Sequence, residues 1–598
     1  MSAVKVFAFD GLVPRLSPTL LGDNFAQVAE NVKLYSRELR YWRGPLLAYN
    51  TPGTNYKTIY RLYNPAGASA FLVWGTEVDV VPGPLADNSE GRIYFTGSGG
   101  PKKTNYALAT TGSAPFPVTS YEMGVPKPAG APAATVTTPG SGTAETRAYV
   151  FTYINTFGSV QEEGPPSDPV SVTVSPTGAV VTIDTFPALP GGSYNLTHRR
   201  IYRTVVGAST VSYQFVAEIA IGAISFADNL TTAQLGEVMS TLGWDPPPSD
   251  LAGLVALPGG ALAGFSGNTV YFSEPYYPHA WPSAYAISLP VGRVVGLGVI
   301  GSSVAVMTDR VPYLIHGGVP GNMYTERVQL EEPCLSKSTI AMDEDGVIYA
   351  SPNGLVMLAS GARGLVTKNL FTSVEWQALN PGTMKAAVLQ GRYFGLFPDV
   401  VPAKAMILSR DDPPALSYIS LSATAMHVDA RNARLFYADS ATGDIFSLDS
   451  DESNPLQFEW RSKRWQFPQA QTFSLLRVDA EFDQLVDASA YNQAAAEAAA
   501  ANAAAYGSPL LGAFNETPLN VFDLNGSTLR NPPTFASSRT VQVVIYGEGA
   551  VVANLNLSSM DPIRIPPFKV REMEIGIFGN IHVRSLALAT TIEELRQI

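Results

Sequence analysis

The side chains that could act as nucleophiles, general bases or metal ligands are few and widely separated in this chain of 598 residues. Its single cysteine, Cys334, excludes an internal disulfide framework and a cysteine-rich zinc or iron–sulfur site. Glu331 and Glu332 lie close before this cysteine and oppose thiolate formation, which favours a structural cysteine. Ser266 lies in GFSGN, which is not the G-x-S-x-G pattern of a nucleophile elbow. The five histidines contain no H-x-x-x-H pair: His198, His279, His316, His427 and His582.

Phosphate-binding and metal-binding motifs are also missing from the sequence. GGPKKT at 99–104 lacks the glycine spacing that cradles a phosphate, and neither H-E-x-x-H nor C-x-x-C occurs. We therefore expect no catalytic residue, no metal ligand and no cofactor, and a protein that is not an enzyme.

Two acidic clusters have two possible interpretations. Asp343, Glu344 and Asp345 precede a glycine, and four aspartates lie in ADSATGDIFSLDSDE: Asp439, Asp444, Asp449 and Asp451. Oxygen-rich loops can hold calcium, but neither cluster has the twelve-residue EF-hand spacing. Aspartate beside glycine is also typical of hairpin turns, which is the interpretation we favour.

One basic segment, EWRSKRWQFPQ at 459–469, interleaves cations with aromatic rings: Arg461, Lys463 and Arg464 with Trp460, Trp465 and Phe467. Such a segment could contact nucleic acid or an acidic partner. The other interpretation is an edge strand whose basic residues discourage aggregation. The formal net charge of −12 favours the edge strand.

The overall composition points to a soluble, mainly β protein. The chain has 27 Tyr, 27 Phe, 52 Gly and 46 Pro, so strand-forming aromatics and turn-forming residues are both abundant. An acidic chain is a poor candidate for tight nucleic-acid binding, which depends on neutralising phosphates. The most apolar window, 294–307, is too short and too rich in glycine to cross a bilayer as a helix, and the opening segment lacks the apolar stretch of a secretory signal.

A helix is predicted in GDNFAQVAENVKLYSRELRYWRGP at 22–45. Asn24 and Gln27 form a candidate capping box, and Gly44-Pro45 ends the segment. Four apolar residues recur with helical spacing: Phe25, Val28, Ala29 and Val32. Further along, KTIYRLY and SAFLVWG are predicted to be strands.

A Pro/Gly-rich linker at 124–142 precedes a series of short strands. In TRAYVFTYIN the residues Tyr149, Phe151 and Tyr153 alternate, as expected for one face of a half-buried strand. VSVTV, AVVTI, RRIYRT, SYQFVAEI and ISFADN follow at the spacing of an immunoglobulin- or fibronectin-like β-sandwich. We place this inserted sandwich at 126–245.

A quasi-repeat of tyrosine-containing strands predicts a β-propeller body. RIYFTGSGG, TVYFSEPYY, VIYASPNGL and LFYADSATG place a tyrosine before a turn each time: Tyr94, Tyr271, Tyr349 and Tyr437. The later intervals each match two blades of about 40–50 residues. The first interval matches one to two blades once the inserted sandwich is removed. A different β architecture stays open, since such strands occur in sandwiches and barrels too.

An alanine-rich segment at 483–506 predicts a helical insertion without a stripe of large apolar side chains. At 1.5 Å per residue this helix would be about 36 Å long. It either approaches copies of itself closely or is an exposed spacer. The predicted organisation follows: 1–125, N-terminal helix and first propeller strands; 126–245, inserted sandwich; 246–482, remaining blades; 483–535, helical insertion; 536–598, C-terminal strands that close the β body.

Several segments together resemble tail proteins of short-tailed bacteriophages. They begin with PRLSPTLLGDNFAQVAENVKLYSRELRYWRGP and end with VRSLALATTIEELRQI. Between them lie LAGFSGNTVYFSEPYYPHAWP, MTDRVPYLIHGGVPGNM, EEPCLSKST, YASPNGLVML and WRSKRWQFP. In this order the segments resemble the tail nozzle, or tail tubular protein B-like, family over most of the chain. The insertion at 483–506 does not match that pattern.

This resemblance implies a structural virion protein that forms a hexameric ring built on a β-propeller. The ring would extend the tail channel, retain the genome and conduct double-stranded DNA during ejection. The implied partners are further copies of the chain, a tail adaptor or portal-proximal ring, and tail fibre proteins. The implied location is the virion tail, after assembly in the host cytoplasm and with no membrane span. An acidic channel wall would avoid tight binding of the passing phosphates, and the helix at 483–506 would line or narrow the bore.

The alternative is a carbohydrate-binding or carbohydrate-degrading tail protein that contacts the host surface. Tyr276, Tyr277 and Trp281 would then stack on sugar rings while a pair of acids cleaves the glycosidic bond. No single pair can be selected from so many carboxylates by sequence.

Overall fold

The computed structural model describes residues 3–84, 90–206, 211–361, 363–410, 414–482, 493, 495–502 and 539–596. Strands predominate, which confirms the mainly β prediction. None of the helices in these ranges is long and apolar enough to cross a bilayer. The chain divides into two compact units: unit 1, with 1–43, 415–417 and 452–598, and unit 2, with 44–414 and 418–451.

The strands of unit 1, with labels that follow the order of all strands along the chain, are β1 (Ala3–Val6), β2 (Ala26–Glu30), β3 (Val32–Lys33), β4 (Arg40–Tyr41), β39 (Phe458–Ser462), β40 (Trp465–Ala480), β41 (Val541–Gly547), β42 (Ala550–Leu557), β43 (Ile563–Gly579) and β44 (Val583–Ala589). An antiparallel sheet joins strands from both ends of the chain in the order β1-β44-β40-β43-β39-β2; β41 also pairs with β43, and β42 with β41. A short helix, Ile592–Arg596, follows β44 and packs Leu595 against Ala587 and Ala589.

The helix predicted at 22–45 is wrong, because this segment forms β2, β3, β4 and the start of the next strand. A bulge between Ala26 and Val28 interrupts the pairing of β2 with β39. The bulge puts Ala26 and Ala29 on the buried side, and a spacing of three imitates a helical face. Asn31 then adopts a φ of 53°, which ends the strand and is incompatible with a continuing right-handed helix.

Unit 2 consists mainly of successive four-stranded antiparallel sheets. After β5 (Arg43–Tyr49) and the hairpin of β6 (Thr58–Tyr63) and β7 (Ser69–Trp74), these are β8 (Asp79–Pro82), β9 (Ile93–Thr96), β10 (Lys102–Thr104) and β11 (Tyr121–Glu122); β20 (Ala252–Ala256), β21 (Leu262–Ser266), β22 (Thr269–Phe272) and β23 (Ile287–Ser288); β24 (Val294–Ile300), β25 (Ser303–Thr308), β26 (Tyr313–His316) and β27 (Tyr324–Arg327); β28 (Ala341–Asp343), β29 (Gly346–Ser351), β30 (Gly354–Leu358) and β31 (Arg363–Leu365); and β36 (Ala423–Asp429), β37 (Arg434–Asp439) and β38 (Ile445–Pro455) with β5. Between the last two of these sheets along the chain, β32 (Lys385–Leu389), β33 (Arg392–Phe397) and β34 (Lys404–Ser409) pair in this order, and β35 (Leu416–Ser420) follows. Two short helices, Tyr106–Ala109 and Ser373–Ala378, lie in connections.

The first strand of each sheet contacts the first strand of the next, in the order β8, β20, β24, β28, β32, β36 and β6. The Val78 amide beside β8 donates a hydrogen bond to Thr58 Oγ in β6, so this series of contacts returns to its start. The last sheet, β36-β37-β38, takes its fourth strand, β5, from the beginning of the unit. Unit 2 is therefore joined to itself through strands that are distant in sequence.

The tyrosines of the quasi-repeat lie in four of these sheets. Tyr94, Tyr349 and Tyr437 occupy the second strand of their sheets, whereas Tyr271 occupies a third strand. The sheet of β24–β27 separates the sheet of Tyr271 from that of Tyr349, and strands β32–β35 lie between those of Tyr349 and Tyr437 along the chain. The position of the tyrosine within its sheet is therefore not the same in all four segments.

Residues 133–228 form two additional antiparallel sheets within unit 2. The strands are β12 (Ala133–Thr138), β13 (Glu145–Phe157), β14 (Val160–Glu163), β15 (Val170–Val174), β16 (Val180–Asp184), β17 (Leu196–Val206), β18 (Val211–Ala220) and β19 (Ser225–Asp228). One sheet contains β12, β16 and β19, and the other contains β13, β14, β15, β17 and β18. Tyr149, Phe151 and Tyr153 of β13 are buried against Val181 and Ile183 of β16, which confirms the predicted aromatic face. The strand is not half-buried as predicted, because the residues of its other face are buried too: Val150, Thr152 and Ile154.

The alanine-rich insertion lies largely outside the described residues. Within it, residues 495–502 are helical, and Ala498 is buried. Residue 493 is helical as well, and the other residues of the segment at 483–535 lie outside the described ranges.

Candidate functional site

The first strands of the sheets of unit 2 line three cavities described here. The cavity bounded by β6, β8 and β36, here called the β6–β36 cavity, has a volume of about 640 Å³. A second cavity of about 710 Å³ is bounded by β8, β20, β24 and β28, and a smaller one of about 180 Å³ shares walls with both. Volumes of several hundred Å³ are typical of small-molecule sites.

An ion pair crosses this interior. Lys337, just before β28, places its Nζ 2.8 Å from Asp79 Oδ2 in β8, although β20 and β24 lie between these strands in the series of contacts. The same oxygen accepts hydrogen bonds from the Gly253 amide and from Thr96 Oγ. Nearby, Lys385 Nζ donates to the Lys57 carbonyl, and burial lowers the pKa of Lys385. These contacts connect the strands across the interior, and Asp79 Oδ2 receives three of them.

A second charged cluster is buried where β10, β14 and the loop after β22 meet. Lys103 is 0% exposed, and its Nζ pairs with the Glu162 carboxylate and donates to the Met123 carbonyl. His279 Nδ1 lies 3.8 Å from Glu162 Oε1. The His279 ring also contacts the rings of Trp244 and Tyr277, with centroid distances of 5.6 and 5.9 Å.

Burial and neighbouring charges shift the pKa values of the three titratable groups in this cluster. Burial lowers the pKa of His279 to about 4, so the imidazole is neutral near pH 7. Burial also lowers the pKa of Lys103, although Glu162 opposes that shift. Burial alone would raise the pKa of Glu162, but Lys103 and His279 bring it below its usual value. The cluster is therefore one buried ion pair with a neutral histidine beside it.

The acidic clusters form turns and ion pairs. Asp343 Oδ1 accepts hydrogen bonds from the amides of Asp345 and Gly346, and Arg410 binds the carboxylates of Asp343 and Asp345. In the other cluster, Asp439 accepts from two amides of its own turn, and Asp444 accepts from the Thr51 amide. Within the described ranges, no three His, Cys, Asp or Glu side chains are arranged to hold a metal ion.

The basic segment at 459–469 is not an edge strand, which corrects the sequence interpretation. β39 pairs with β2 on one side and β43 on the other. Arg461 and Arg464 both bind Glu574, whose side chain is 3% exposed, and Lys463 binds Asp23. Trp460 is fully buried and packs edge-on against Phe9 at 4.9 Å. The cations of this segment therefore neutralise acids of unit 1.

The contacts and exposure of Ser266, Trp281 and the neighbouring tyrosines bear on the nucleophilic and sugar-binding roles considered for them. Ser266 Oγ donates to Asp250 Oδ2 at 2.6 Å. Trp281 is 1% exposed, and its indole N–H donates to the Pro278 carbonyl. Trp281 therefore cannot stack on a sugar as the alternative hypothesis required, because its faces are covered, whereas Tyr276 and Tyr277 are about half exposed.

Cys334 is buried, and its Sγ lies 3.5 Å from the Ser336 carbonyl. Burial raises the pKa of this thiol to about 12, so the thiolate is scarce at neutral pH. Both observations agree with a structural cysteine.

We expect Cys334 to resist a water-soluble aromatic disulfide reagent at pH 8 and to react fully once the chain is unfolded in guanidinium chloride. The measurement is absorbance of the released thiolate over time. One thiol per chain in the unfolded sample is the internal control, since the sequence contains one cysteine. Rapid reaction of the native protein would contradict the burial of the thiol.

Sequence reasoning missed the pairing of Lys103 with Glu162 and the network around Asp429 described below. The only local signal for the first is that GGPKKT and VQEEG place charges inside strand-forming segments. Nothing in either segment identifies the partner, because the two residues come together only when β10 meets β14.

The comparisons with known proteins do not identify the chain. No protein-family model matches it, and no curated protein matches it. One similar solved structure is described as the extracellular domain of a hybrid two component system from B. thetaiotaomicron; the identity is 11% and the TM-score is 0.18. The match covers 68% of this chain and 53% of that one, so the chain spans about half the length of the structure it matches. A TM-score this low supports neither a shared fold nor a shared function.

Proposed function

We propose that the successive sheets of unit 2 are the blades of a β-propeller into which an immunoglobulin- or fibronectin-like sandwich is inserted at 126–245. Support comes from the contacts between first strands, which pass from sheet to sheet and return to β6. The use of β5 as the fourth strand beside β38 has the effect of joining the two ends of the series. Four-stranded sheets arranged around a common centre are the structural units of propellers.

We further propose that this chain is a structural component of a phage tail, not an enzyme, and that six copies form a nozzle ring in the virion. The ring extends the tail channel, retains the genome and conducts DNA during ejection. It is assembled in the host cytoplasm and contacts a tail adaptor or portal-proximal ring and tail fibre proteins.

The observation that carries this proposal is the composition of the sheet in unit 1. Three segments on which the family resemblance depends lie far apart in sequence: the opening segment, WRSKRWQFP and the C-terminal segment. In the structure they supply β2, β39 and β44 to one sheet. Their charged and aromatic side chains are used internally, as Trp460 and the Arg461–Glu574 pair show. Because these three segments form one sheet and use their side chains for internal contacts, they support a structural role for the chain.

Charge is consistent with a DNA conduit. The net charge is −12, and the basic residues of 459–469 that could have bound phosphate are paired with Glu574 and Asp23. A conduit needs weak, reversible contact with its cargo, since each neutralised phosphate adds salt-dependent affinity. We therefore propose that the channel wall is not strongly basic.

The expected result for purified protein is a ring of six copies of the 63.7-kDa chain. Native mass spectrometry gives the number of copies, and electron microscopy of the same sample gives the symmetry. A dilution series serves as the control, because a specific ring keeps its stoichiometry until it dissociates. A solitary monomer at all concentrations, or a trimer that releases reducing sugar from host polysaccharide, would contradict the proposal and favour the carbohydrate-directed alternative.

A further inference from the structure

The β6–β36 cavity has one rigid polar wall. Asp429 is 4% exposed and accepts hydrogen bonds from the Tyr63 hydroxyl, from Asn432 Nδ2 and from the Arg431 amide. Arg61 Nη1 lies 3.5 Å from the same carboxylate. The buried charge is therefore compensated, and its neighbours are held in fixed positions.

Arg61 is further restrained by aromatic rings. Its guanidinium lies 5.1–5.5 Å from the ring centroids of Tyr63, Phe71 and Phe436. Because Asp429 and the rings already satisfy this cation, it does not offer the uncompensated charge that a phosphate site requires. Arg431 also lines the cavity, and its guanidinium lies 4.5 Å from the Tyr63 ring centroid. Because the buried Asp429 carboxylate lies beside these cations and repels a further anion, the cavity favours a ligand without a strong negative charge.

Two further groups of the cavity lining lie on the same two strands: Tyr60 in β6, next to Arg61, and His427 in β36, two residues before Asp429. The rings of Tyr60 and His427 lie 4.9 Å apart, and neither side chain forms a hydrogen bond to another residue in the described part of the chain. Burial raises the pKa of Tyr60 to about 12 and lowers that of His427 to about 4, so both groups are neutral near pH 7. A phenol and a neutral imidazole can each donate and accept a hydrogen bond.

Apolar surface completes the cavity. Val78 and Val80 line it beside the aromatic pair. A pyranose ring presents hydroxyls that donate and accept hydrogen bonds, together with an apolar face of C–H groups. Neutral hydrogen-bonding groups, aromatic rings and aliphatic side chains around about 640 Å³ match that chemistry.

We propose that the β6–β36 cavity binds a saccharide of one or two rings, with Tyr60 and His427 hydrogen-bonded to its hydroxyls and the Asp429–Arg61 network orienting it. This site is distinct from the exposed Tyr276 and Tyr277. It lies within unit 2 and does not depend on the proposed ring, so the chain can bind sugar whether or not it forms a hexamer.

The test uses the full-length protein and three neutral probes: glucose, galactose and N-acetylglucosamine. Saturation-transfer NMR detects binding, and calorimetry measures it. We expect at least one probe to bind, and Tyr60→Phe and His427→Gln each to weaken binding by roughly 2- to 10-fold, the value of one hydrogen bond. Tyr276→Phe and Tyr277→Phe are the matched controls and should bind as the unmodified protein does.

Each other outcome overturns the proposal. Absence of binding to all three sugars would exclude the stated ligand class. Weaker binding in the Tyr276 or Tyr277 variants, with Tyr60→Phe unchanged, would place the sugar elsewhere. Preferential binding of inorganic phosphate that is lost in Arg61→Gln or Arg431→Gln would show an anion site instead. Thermal unfolding of every variant checks that the fold is retained.

Discussion

Replacing Glu162 with leucine is expected to lower the free energy of unfolding by about 3–5 kcal/mol. Lys103 is completely buried beside Glu162 and has no access to water. Removing the carboxylate leaves an uncompensated buried ammonium, because the remaining Met123 carbonyl offers a dipole and not a charge. Urea unfolding followed by tryptophan fluorescence and far-UV circular dichroism measures the loss.

The double variant Lys103→Met/Glu162→Leu separates loss of charge pairing from loss of packing. It should recover much of the stability, since a buried ion pair can be replaced by apolar side chains of similar volume at little cost. The exposed pair of Arg363 and Glu326 provides the matched control, and Arg363→Gln should cost much less than Glu162→Leu, because solvent screens an exposed pair. A Glu162→Leu cost as small as that of Arg363→Gln would show that Lys103 reaches solvent.

Acid is expected to destabilise the folded chain between about pH 6.5 and pH 4, largely through His279. The unfolded chain binds a proton at the ordinary histidine pKa of 6.5, whereas the folded chain does so only near 4. Because the unfolded state binds more protons within this window, stability is present above pH 6.5 and falls as the pH decreases. The shift corresponds to about 3 kcal/mol for this side chain.

The groups that face His279 titrate in other windows. The pKa of Glu162 is lowered, so its contribution is lost below the usual carboxyl range. Burial lowers the pKa of Lys103, and its pairing with Glu162 opposes that shift. His427 should contribute in the same direction as His279, because burial lowers its pKa to about 4 as well.

The measurement is the free energy of unfolding in urea at several values between pH 7.5 and pH 4.5. His279→Gln should flatten the dependence on pH, and His279→Gln/His427→Gln should flatten it further. Stability at pH 7.5 serves as the reference for each variant. An unchanged slope in His279→Gln would mean that the imidazole is protonated in the folded chain at ordinary pH.

Local pattern predicted strands well in segments rich in aromatic and β-branched residues, whether one face or both faces are buried. TRAYVFTYIN forms β13, and KTIYRLY and SAFLVWG form the β6–β7 hairpin. Periodicity failed at 22–45, where the bulge beside Ala26 produces helical spacing in a strand. A bulge depends on the partner strand, β39, which lies more than 400 residues further along, so no window of the opening segment could reveal it.

Residue type alone predicted a structural cysteine at 334 and a turn at Asp343. Both predictions rest on adjacent residues: the acids before Cys334 and the glycine after Asp345. Residue type was misleading for Trp281. Its position in an aromatic-rich segment suggested that the ring stacks on a sugar, but the side chain is buried. Residue type was also misleading for 459–469, because an alternation of cations and rings does not show whether the strand lies at an edge.

The sequence by itself determined that this is a mainly β protein with many short strands, an inert cysteine and aspartates suited to turns. These properties depend on neighbours within a few residues, which the chain carries wherever it folds. Only the tertiary structure decided that Lys103 meets Glu162, that Glu574 receives Arg461 and Arg464, and that Tyr60 and His427 share a cavity. Those contacts join strands that are far apart along the chain, and their energies arise from desolvation and charge pairing that exist only after the strands have packed.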